Sequence, residues 1–444
     1  MARIFPFTGY RYDAQRVTLA DVVTQPYDKI SPEMQERYFA ASPYNFISVE
    51  KGKALAGDSA ESNVYPRAAE KLREWIAEKV LVREGSPAIY RYTQEYTVTG
   101  HVARSTREGF IALGQLEDYE AGVVFRHEKT LTAPKADRLE LLRHTETQTG
   151  QLFMLYDDPR GEAEKLLTQA TRGKPATEVR DEYDVLHRLW AVEDAATIAR
   201  VQLAMADKKL VIADGHHRYE TALNYRDECR ARSGARDANA PYERAMMTFV
   251  NSRSRGLTIL PTHRVVRQLE NFNWEKFRER VSPYFHWYAY PFANAEERAE
   301  SYAQWRKDLA ARAREGGAIG AYPAKGAFFL FVARRGPALD GLLAELSEAQ
   351  RRLDVVLLHH VMLEKGLGIR PEEVTSEQHI TYEREMDRAI AAVDSGEARL
   401  ALLLNAVHIG QMMEIALAGE VLPQKSTDFY PKLLSGLVLY RLNG

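Results

Sequence analysis

The stretch Leu210-Val211-Ile212-Ala213-Asp214-Gly215-His216-His217-Arg218-Tyr219 constrains the local fold more than any other part of the chain. Four apolar residues run into Asp-Gly, and a polar/apolar alternation at helical spacing follows. That pattern predicts a strand, a tight turn and a helix start. A helix start presents unpaired backbone N–H groups and the positive end of its dipole, which suits phosphate or another anion. Asp214, Gly215, His216, His217 and Arg218 place an acid, a permissive turn residue, two tunable bases and a permanent cation there. The plainer alternative makes Asp214 a helix N-cap and turns the histidines to solvent. His216 and His217 are adjacent and cannot both face one way on a single turn, and spacing does not choose between them.

A chain of 444 residues exceeds one ordinary core, so two to three domains are expected. The pattern suggests an N-terminal α/β region over 1–104, a region dense in polar motifs over 105–270, and a C-terminal α/β region over 271–444. Helical spacing marks 65–79, 294–314, 339–353 and 409–418, and an apolar helix is expected from about 431. Strand patterns fall at 88–98 and 108–113, joined by a polar turn into a hairpin, and at 245–250, 327–333, 380–382 and 399–404. Strands and helices alternate too irregularly to dictate a doubly wound sheet, so the class is α/β or α+β.

Composition excludes several partners. A net charge of −2 gives no global attraction to nucleic acid or to an anionic membrane, so any cationic site must be local. The longest apolar runs, 328–333 and 400–404, are far shorter than a bilayer span. The single cysteine, Cys229, lies in a polar helical pattern, leaves no intrachain disulfide and fits a reducing cytoplasm.

Two further clusters carry chemistry. His127-Glu128-Lys129-Thr130, followed by Lys135, Asp137 and Arg138, places a carboxylate between a histidine and a lysine on a loop. Glu128 there is a candidate general base, and the alternative is a solvated, self-paired charge cluster. Gln424-Lys425-Ser426-Thr427 echoes part of a phosphate-binding loop but lacks its glycine spacing. Either Lys425 faces a pocket or Ser426 or Thr427 caps a helix. No HExxH, zinc-type Cys/His spacing, GxSxG or GxGxxG occurs, and the adjacent His359-His360 pair in an apolar helix suits a core or interface.

Taken together, these motifs resemble the bacterial and archaeal family known as domain of unknown function 1015, almost end to end. The resemblance is carried by Gln25-Pro26-Tyr27-Asp28, Asn45-Phe46-Ile47, His127-Glu128-Lys129-Thr130, Lys135-Ala136-Asp137-Arg138 and Asp214-Gly215-His216-His217-Arg218. It continues through Leu260-Pro261-Thr262-His263-Arg264, Pro423-Gln424-Lys425-Ser426-Thr427 and Phe429-Tyr430-Pro431-Lys432. The Asp214 turn is also similar, more distantly, to the nucleotide-phosphate turn of the ParB/sulfiredoxin-like superfamily. Its members include free-serine kinases in which a His-Glu element, with the glutamate as base, precedes the Asp-Gly-x-x-Arg element. That likeness implies a ParB/sulfiredoxin-like core carrying a large insertion at about 155–205, with α/β regions added at both ends.

The expectation that follows is nucleotide-dependent phosphoryl transfer to a small hydroxyl metabolite, with free L-serine the first candidate. Gly215, His216, His217 and Arg218 would hold the phosphates of ATP or ADP, and Asp214 would help to hold Mg²⁺. Glu128, with His127 beside it, would take the hydroxyl proton, while Lys129, His263, Arg264 and Lys425 would clamp the substrate carboxylate or the transferred phosphate. Phosphate-ester hydrolysis, as of phosphoserine, and a non-catalytic nucleotide-binding module are the alternatives. Partners are thus a nucleotide and a small substrate, with neither nucleic acid nor membrane.

Overall fold

The protein is described by a computed structural model covering residues 1–98, 103–128, 132–234, 236–267, 269, 272–313, 316–324 and 326–443. The chain forms two compact units. The first comprises Met1–Arg126, Thr130–Thr258 and Pro431–Gly444, the second His127–Lys129 and Ile259–Tyr430. The stretch 105–270, expected as one region, contributes to both.

The first unit is built on a nine-stranded mixed sheet. Its strands are β1 (Ile4–Phe5), β2 (Ile89–Thr97), β3 (Arg104–Gln115), β4 (Val124–Phe125), β5 (Leu152–Tyr156), β6 (Thr177–Arg180), β7 (Leu186–Val192), β8 (Leu210–Asp214) and β9 (Arg244–Asn251). They lie in the order β4-β8-β5-β9-β3-β2-β7-β6, with β1 also on β3. β4 runs parallel to β8 and β9 parallel to β5, and the other pairs are antiparallel. β5 and the start of β8 are buried throughout and read as unbroken apolar runs, as strands covered on both faces do. β2 and β3 form the expected hairpin, and residues 99–102 of its turn lie outside the described residues. The stretch expected as an insertion, about 155–205, contains β6 and β7 at one end of this same sheet.

Helices Glu162–Ala170, Ala195–Met205 and His216–Ser233 pack Leu167, Ile198, Val201, Met205 and Tyr219 into one core with the sheet. A second core gathers Phe46, Val49, Leu72, Trp75 and Leu439 around α1 (Ile47–Glu50) and α2 (Val64–Ala77). The expected helix from 431 does not form. That segment starts at a proline, carries Gly436 at φ +89° and buries Leu433, Leu434, Leu437, Val438 and Leu439, leaving no solvent face for a helical stripe. It threads back into the first unit instead. Ser435 exchanges backbone hydrogen bonds with Thr24, Leu439 does so with Tyr10, and Tyr440–Arg441 pairs with Thr147–Gln148.

The second unit has a six-stranded sheet of β10 (His263–Val266), β11 (Phe285–Pro291), β12 (Ala318–Tyr322), β13 (Ala327–Ala333), β14 (Ile380–Glu383) and β15 (Leu400–Leu404). The order is β11-β13-β12-β15-β10-β14, antiparallel at each pair. Helix Ala295–Ala311 starts where the Asn294 side chain accepts from the Glu297 N–H at 2.9 Å, and it sinks Trp305 and Leu309 onto the sheet. The single helix expected over 339–353 is two short ones, Pro337–Leu342 and Glu348–Arg351. Ser347 opens the second with a capping box closed by Gln350, a local signal that outweighs the continuing apolar spacing. His359 and His360 lie in a π-helical stretch, Leu358–Leu367. Among the described residues no helix is long and apolar enough to cross a membrane.

Candidate functional site

In the first unit, β8 ends at Asp214 with a register shift against β5, where Ile212 faces Met154 but Asp214 faces Phe153. Such a bulge re-aims the strand end. Gly215 follows at φ +94°, which an L side chain rarely adopts. A Cβ there would also lie 3.1 Å from Leu152 and 3.2 Å from the Arg218 guanidinium. The helix His216–Ser233 begins directly after it, as the sequence pattern predicts. His216 is buried at its first position and His217 is half-buried.

Asp214 is surrounded by cations. Lys432 Nζ donates to its Oδ2 at 2.9 Å, and Arg218 Nη2 stands 3.9 Å from Oδ1. Burial opposes the charged form, yet Lys432, Arg218 and Lys29 hold the carboxyl well below the usual carboxylate range. Arg218 also donates to the Gln151 carbonyl, which fixes its head. Tyr27 lies close enough to feel Arg218, Arg138 and Asp214. Burial pushes its phenol up to about 12, so the hydroxyl keeps its proton at neutral pH. The Arg138 guanidinium stacks 4.3 Å from the Tyr27 ring centroid and donates to the Glu50 carbonyl at 2.8 Å. Asn45 positions this wall: its side chain accepts from Ile47 N–H and donates to the Asp21 carbonyl, fixing the short helix α1 that ends at Glu50.

Sequence reasoning named Asp214, Gly215 and Arg218 for this site and placed Arg138 with the Glu128 cluster, but missed Lys432, Tyr27, Glu50 and Gln151. Tyr27, Glu50 and Lys432 sit in or beside Gln25-Pro26-Tyr27-Asp28, Asn45-Phe46-Ile47 and Phe429-Tyr430-Pro431-Lys432, all quoted above only as marks of resemblance. A polar chain continues from Gln25, whose amide donates to Asp181 at 3.1 Å. Asp181 meets His187 Nε2 at 3.3 Å, and His187 Nδ1 meets the Tyr92 hydroxyl at 2.6 Å.

In the second unit the remaining motifs meet one another. Glu128 pairs with Leu422 as a parallel bridge, and the Leu422 N–H donates to the His127 carbonyl at 2.7 Å. Glu128 Oε1 accepts from Ser426 N–H at 3.1 Å, Thr427 N–H at 3.2 Å and the Thr427 hydroxyl at 3.2 Å. With that hydroxyl proton directed to Glu128, the 2.6 Å contact between Thr427 and the buried His127 Nε2 has the imidazole as donor. Consecutive N–H groups cradling one oxygen form an anion-binding nest, here filled by the protein's own carboxylate. Ser426 and Thr427 therefore cap no helix, while Lys425 is exposed, has φ +56° and reaches over the Tyr382 ring at 5.9 Å. Lys129 lies outside the described residues.

Arg264 is fully buried. It donates to the Thr262 carbonyl, to the Gln424 and Lys425 carbonyls at 3.2 and 3.1 Å, and to His359 Nε2 at 3.3 Å. Burial pulls its guanidinium down to about 10, still charged at neutral pH. This cation thus holds backbone, not an open subsite. His263 accepts from the Leu404 N–H at 3.1 Å, and burial plus Arg264 lower it to about 4. A neutral imidazole that accepts from the neighbouring strand β15 brings no charge to that position. Cys229, expected in a polar setting, is buried against Tyr225 and Leu142.

A family model described as a protein of unknown function, DUF1015, matches residues 4–356. The chain belongs to that family. The segments bearing Lys425 and Lys432 lie beyond the matched stretch. No curated protein matches the chain. Among solved structures, a conserved hypothetical protein from Pyrococcus furiosus is 13% identical, with 75% of this chain and 96% of that one covered at a TM-score of 0.35. A free serine kinase in complex with AMP is 13% identical, with 72% and 86% covered and a TM-score of 0.35. SbnI from Staphylococcus aureus, with a C-terminal truncation, is 10% identical, with 73% and 85% covered and a TM-score of 0.35. None of these likenesses bears on the activity.

Proposed function

We propose that this protein transfers a phosphoryl group between a nucleotide and a small hydroxyl metabolite, with free L-serine as the first acceptor to test. The observation that carries the proposal is the convergence of Lys432, Arg218 and Lys29 on Asp214, where a glycine turn opens an 18-residue helix. Cations gathered at the positive end of a helix dipole make an environment in which phosphate is stabilised. In this scheme the N–H groups of Gly215–His217 and the Arg218 side chain bind phosphate oxygens, and Lys432 steadies the developing charge. The base that takes the hydroxyl proton is a carboxylate, and Glu128 is the one the sequence pattern offers.

Asp214 fits poorly as a metal ligand. Its carboxylate is engaged by Lys432, and among the described residues no group of three His, Cys, Asp or Glu stands close enough to hold an ion. No step is therefore routed through a metal, and Mg²⁺ would enter with the nucleotide, keeping its waters.

Purified protein incubated with L-serine, Mg²⁺ and ATP or ADP should yield phosphoserine by mass spectrometry. Glu128→Gln should lower turnover by roughly 10²–10⁴ while nucleotide binding stays. Absence of product with either donor, in a folded protein that binds nucleotide, would remove the transferase assignment. Inorganic phosphate released from phosphoserine without nucleotide would point to hydrolysis instead. One observation favours a nucleotide-binding module: Glu128 spends one oxygen on three internal donors, as a structural clamp would. Tight nucleotide binding without turnover, unchanged by Glu128→Gln, would establish that role.

A further inference from the structure

Two cavities in the first unit share Glu50, Arg138 and Leu141. One of about 60 Å³ is bounded by Gly150, Thr149 and Arg218, and another of about 140 Å³ by Tyr27, Tyr65 and Lys51. Glu50 is only 1% exposed, and its side chain is not fully used. Oε1 accepts a long bond from the Tyr27 N–H at 3.4 Å, whereas buried Oε2 has no hydrogen-bond partner among the described residues. Arg138 donates to the Glu50 backbone carbonyl and to Asp137. A buried carboxylate oxygen without a donor is costly, and most such atoms in folded proteins are paired. Both cavities run alongside this one.

Gly150 shows what the space admits. A Cβ there would stand 3.0 Å from Arg218 Nη1 and 3.7 Å from Glu50 Oε1. A guanidinium and a carboxylate thus flank the gap left by one missing methyl group. An acceptor oxygen on one side and a cation on the other match the head of an α-amino acid, ammonium towards the first and carboxylate towards the second.

We propose that Glu50 is the receptor for the ammonium group of a zwitterionic ligand whose carboxylate faces the Nη1 side of Arg218 at Gly150, leaving Nε and Nη2 beside Gly215 to the phosphate, so that the acceptor is a hydroxy amino acid and not a plain hydroxy acid or alcohol. The proposal rests on the phosphotransfer reading only in treating the ligand's hydroxyl as the reacting group. Glu50 accordingly selects the substrate and takes no part in the transfer itself. Gly150 keeps the gap open, and Arg138, stacked on Tyr27, holds the wall that carries Glu50.

Calorimetric titration of the full chain with L-serine, glycerate and ethanolamine tests it. L-serine is expected to bind at least about tenfold tighter than glycerate, the loss of one charge-assisted bond to a buried acceptor. Ethanolamine, which keeps the amine but lacks the carboxylate, should fall between them. Glu50→Gln should bring L-serine and glycerate together, and Gly150→Ala should weaken L-serine with every charge retained. The comparison of ligands on the unaltered protein needs no variant to fold. Glycerate binding as tightly as L-serine, or no binding by either amine, would overturn the proposal. Equal phosphorylation of L-serine and glycerate would keep the transferase and discard the Glu50 receptor. Amine-selective binding without phosphate transfer would do the reverse.

Discussion

Asp214 and Glu128 both accept hydrogen bonds through their carboxyl groups, but in different company. Around Asp214 the stabilising groups are long side chains, Lys432, Arg218 and Lys29. Around Glu128 they are two backbone N–H groups and a hydroxyl on one short loop. A lysine head can swing to an incoming anion on its flexible stem, and the Arg218 guanidinium, though fixed by the Gln151 carbonyl, has further N–H groups to share. Backbone donors are fixed by the chain and cannot. The first unit therefore has charge to lend to a ligand, while the second has used its nest to fasten the His127-Glu128 segment to the loop at 422–427. The motifs divide along the same line, five around Asp214 and three around Glu128 and Arg264.

The sharpest way to break that contrast is to remove one cation. Lys432→Met leaves a largely buried carboxylate with weakened compensation, and should cost about 3 kcal/mol of stability in urea, at the low end for breaking such a pair. It should also weaken nucleotide binding. A change below about 0.5 kcal/mol would mean that Arg218 and Lys29 suffice alone.

Acid should distinguish the units next. His263 titrates at about 4 in the folded chain against about 6.5 unfolded. The unfolded chain takes up that proton first, so stability is full above pH 6.5 and falls as the pH drops to about 4, by up to about 3 kcal/mol. His359, pushed the same way by burial and Arg264, adds to the fall. Asp214 works in the opposite range: its depressed pKa contributes stability that is complete above about pH 4 and lost only below it. His187 in the first unit is also lowered by burial, but Asp181 offsets part of the shift. Segment-resolved hydrogen exchange between pH 7 and pH 4.5 should thus show larger loosening around 263–266 and 400–404 than around 210–218. His263→Leu should flatten that response.

Glu128→Ala removes the acceptor shared by three donors and should lower protection of the amides at 426 and 427 by about 2 kcal/mol, with little change at 214–218. Equal loosening at both places would show that the Asp214 turn depends on the nest. The smallest effect is expected for Gly215→Ala, about 1–2 kcal/mol from the positive φ and the crowding of Arg218. A measured gain in stability would contradict the turn geometry.

Elements written in neighbouring residues were legible. The strand, turn and helix at 210–233 follow from an apolar run, an Asp-Gly pair and a 3.6-residue period, and the hairpin of β2 and β3 from alternation. The segment after Pro431 was misread because its dense leucines match a helical stripe, and only the buried groove it fills shows that every side must be apolar. The helix expected over 339–353 failed on Ser347 and Gln350, a capping box that was present in the sequence and passed over.

By itself, then, the sequence determined the local conformations and the identity of one half of each charged pair. Tertiary structure decided the other half: Lys432 reaches Asp214 across 218 residues, and Ser426 reaches Glu128 across 298. Periodicity reports which face of an element is apolar, since that depends on residues a turn apart. Which distant cation or N–H group answers a carboxylate depends on how the sheets and loops close in space, and no short-range pattern records it.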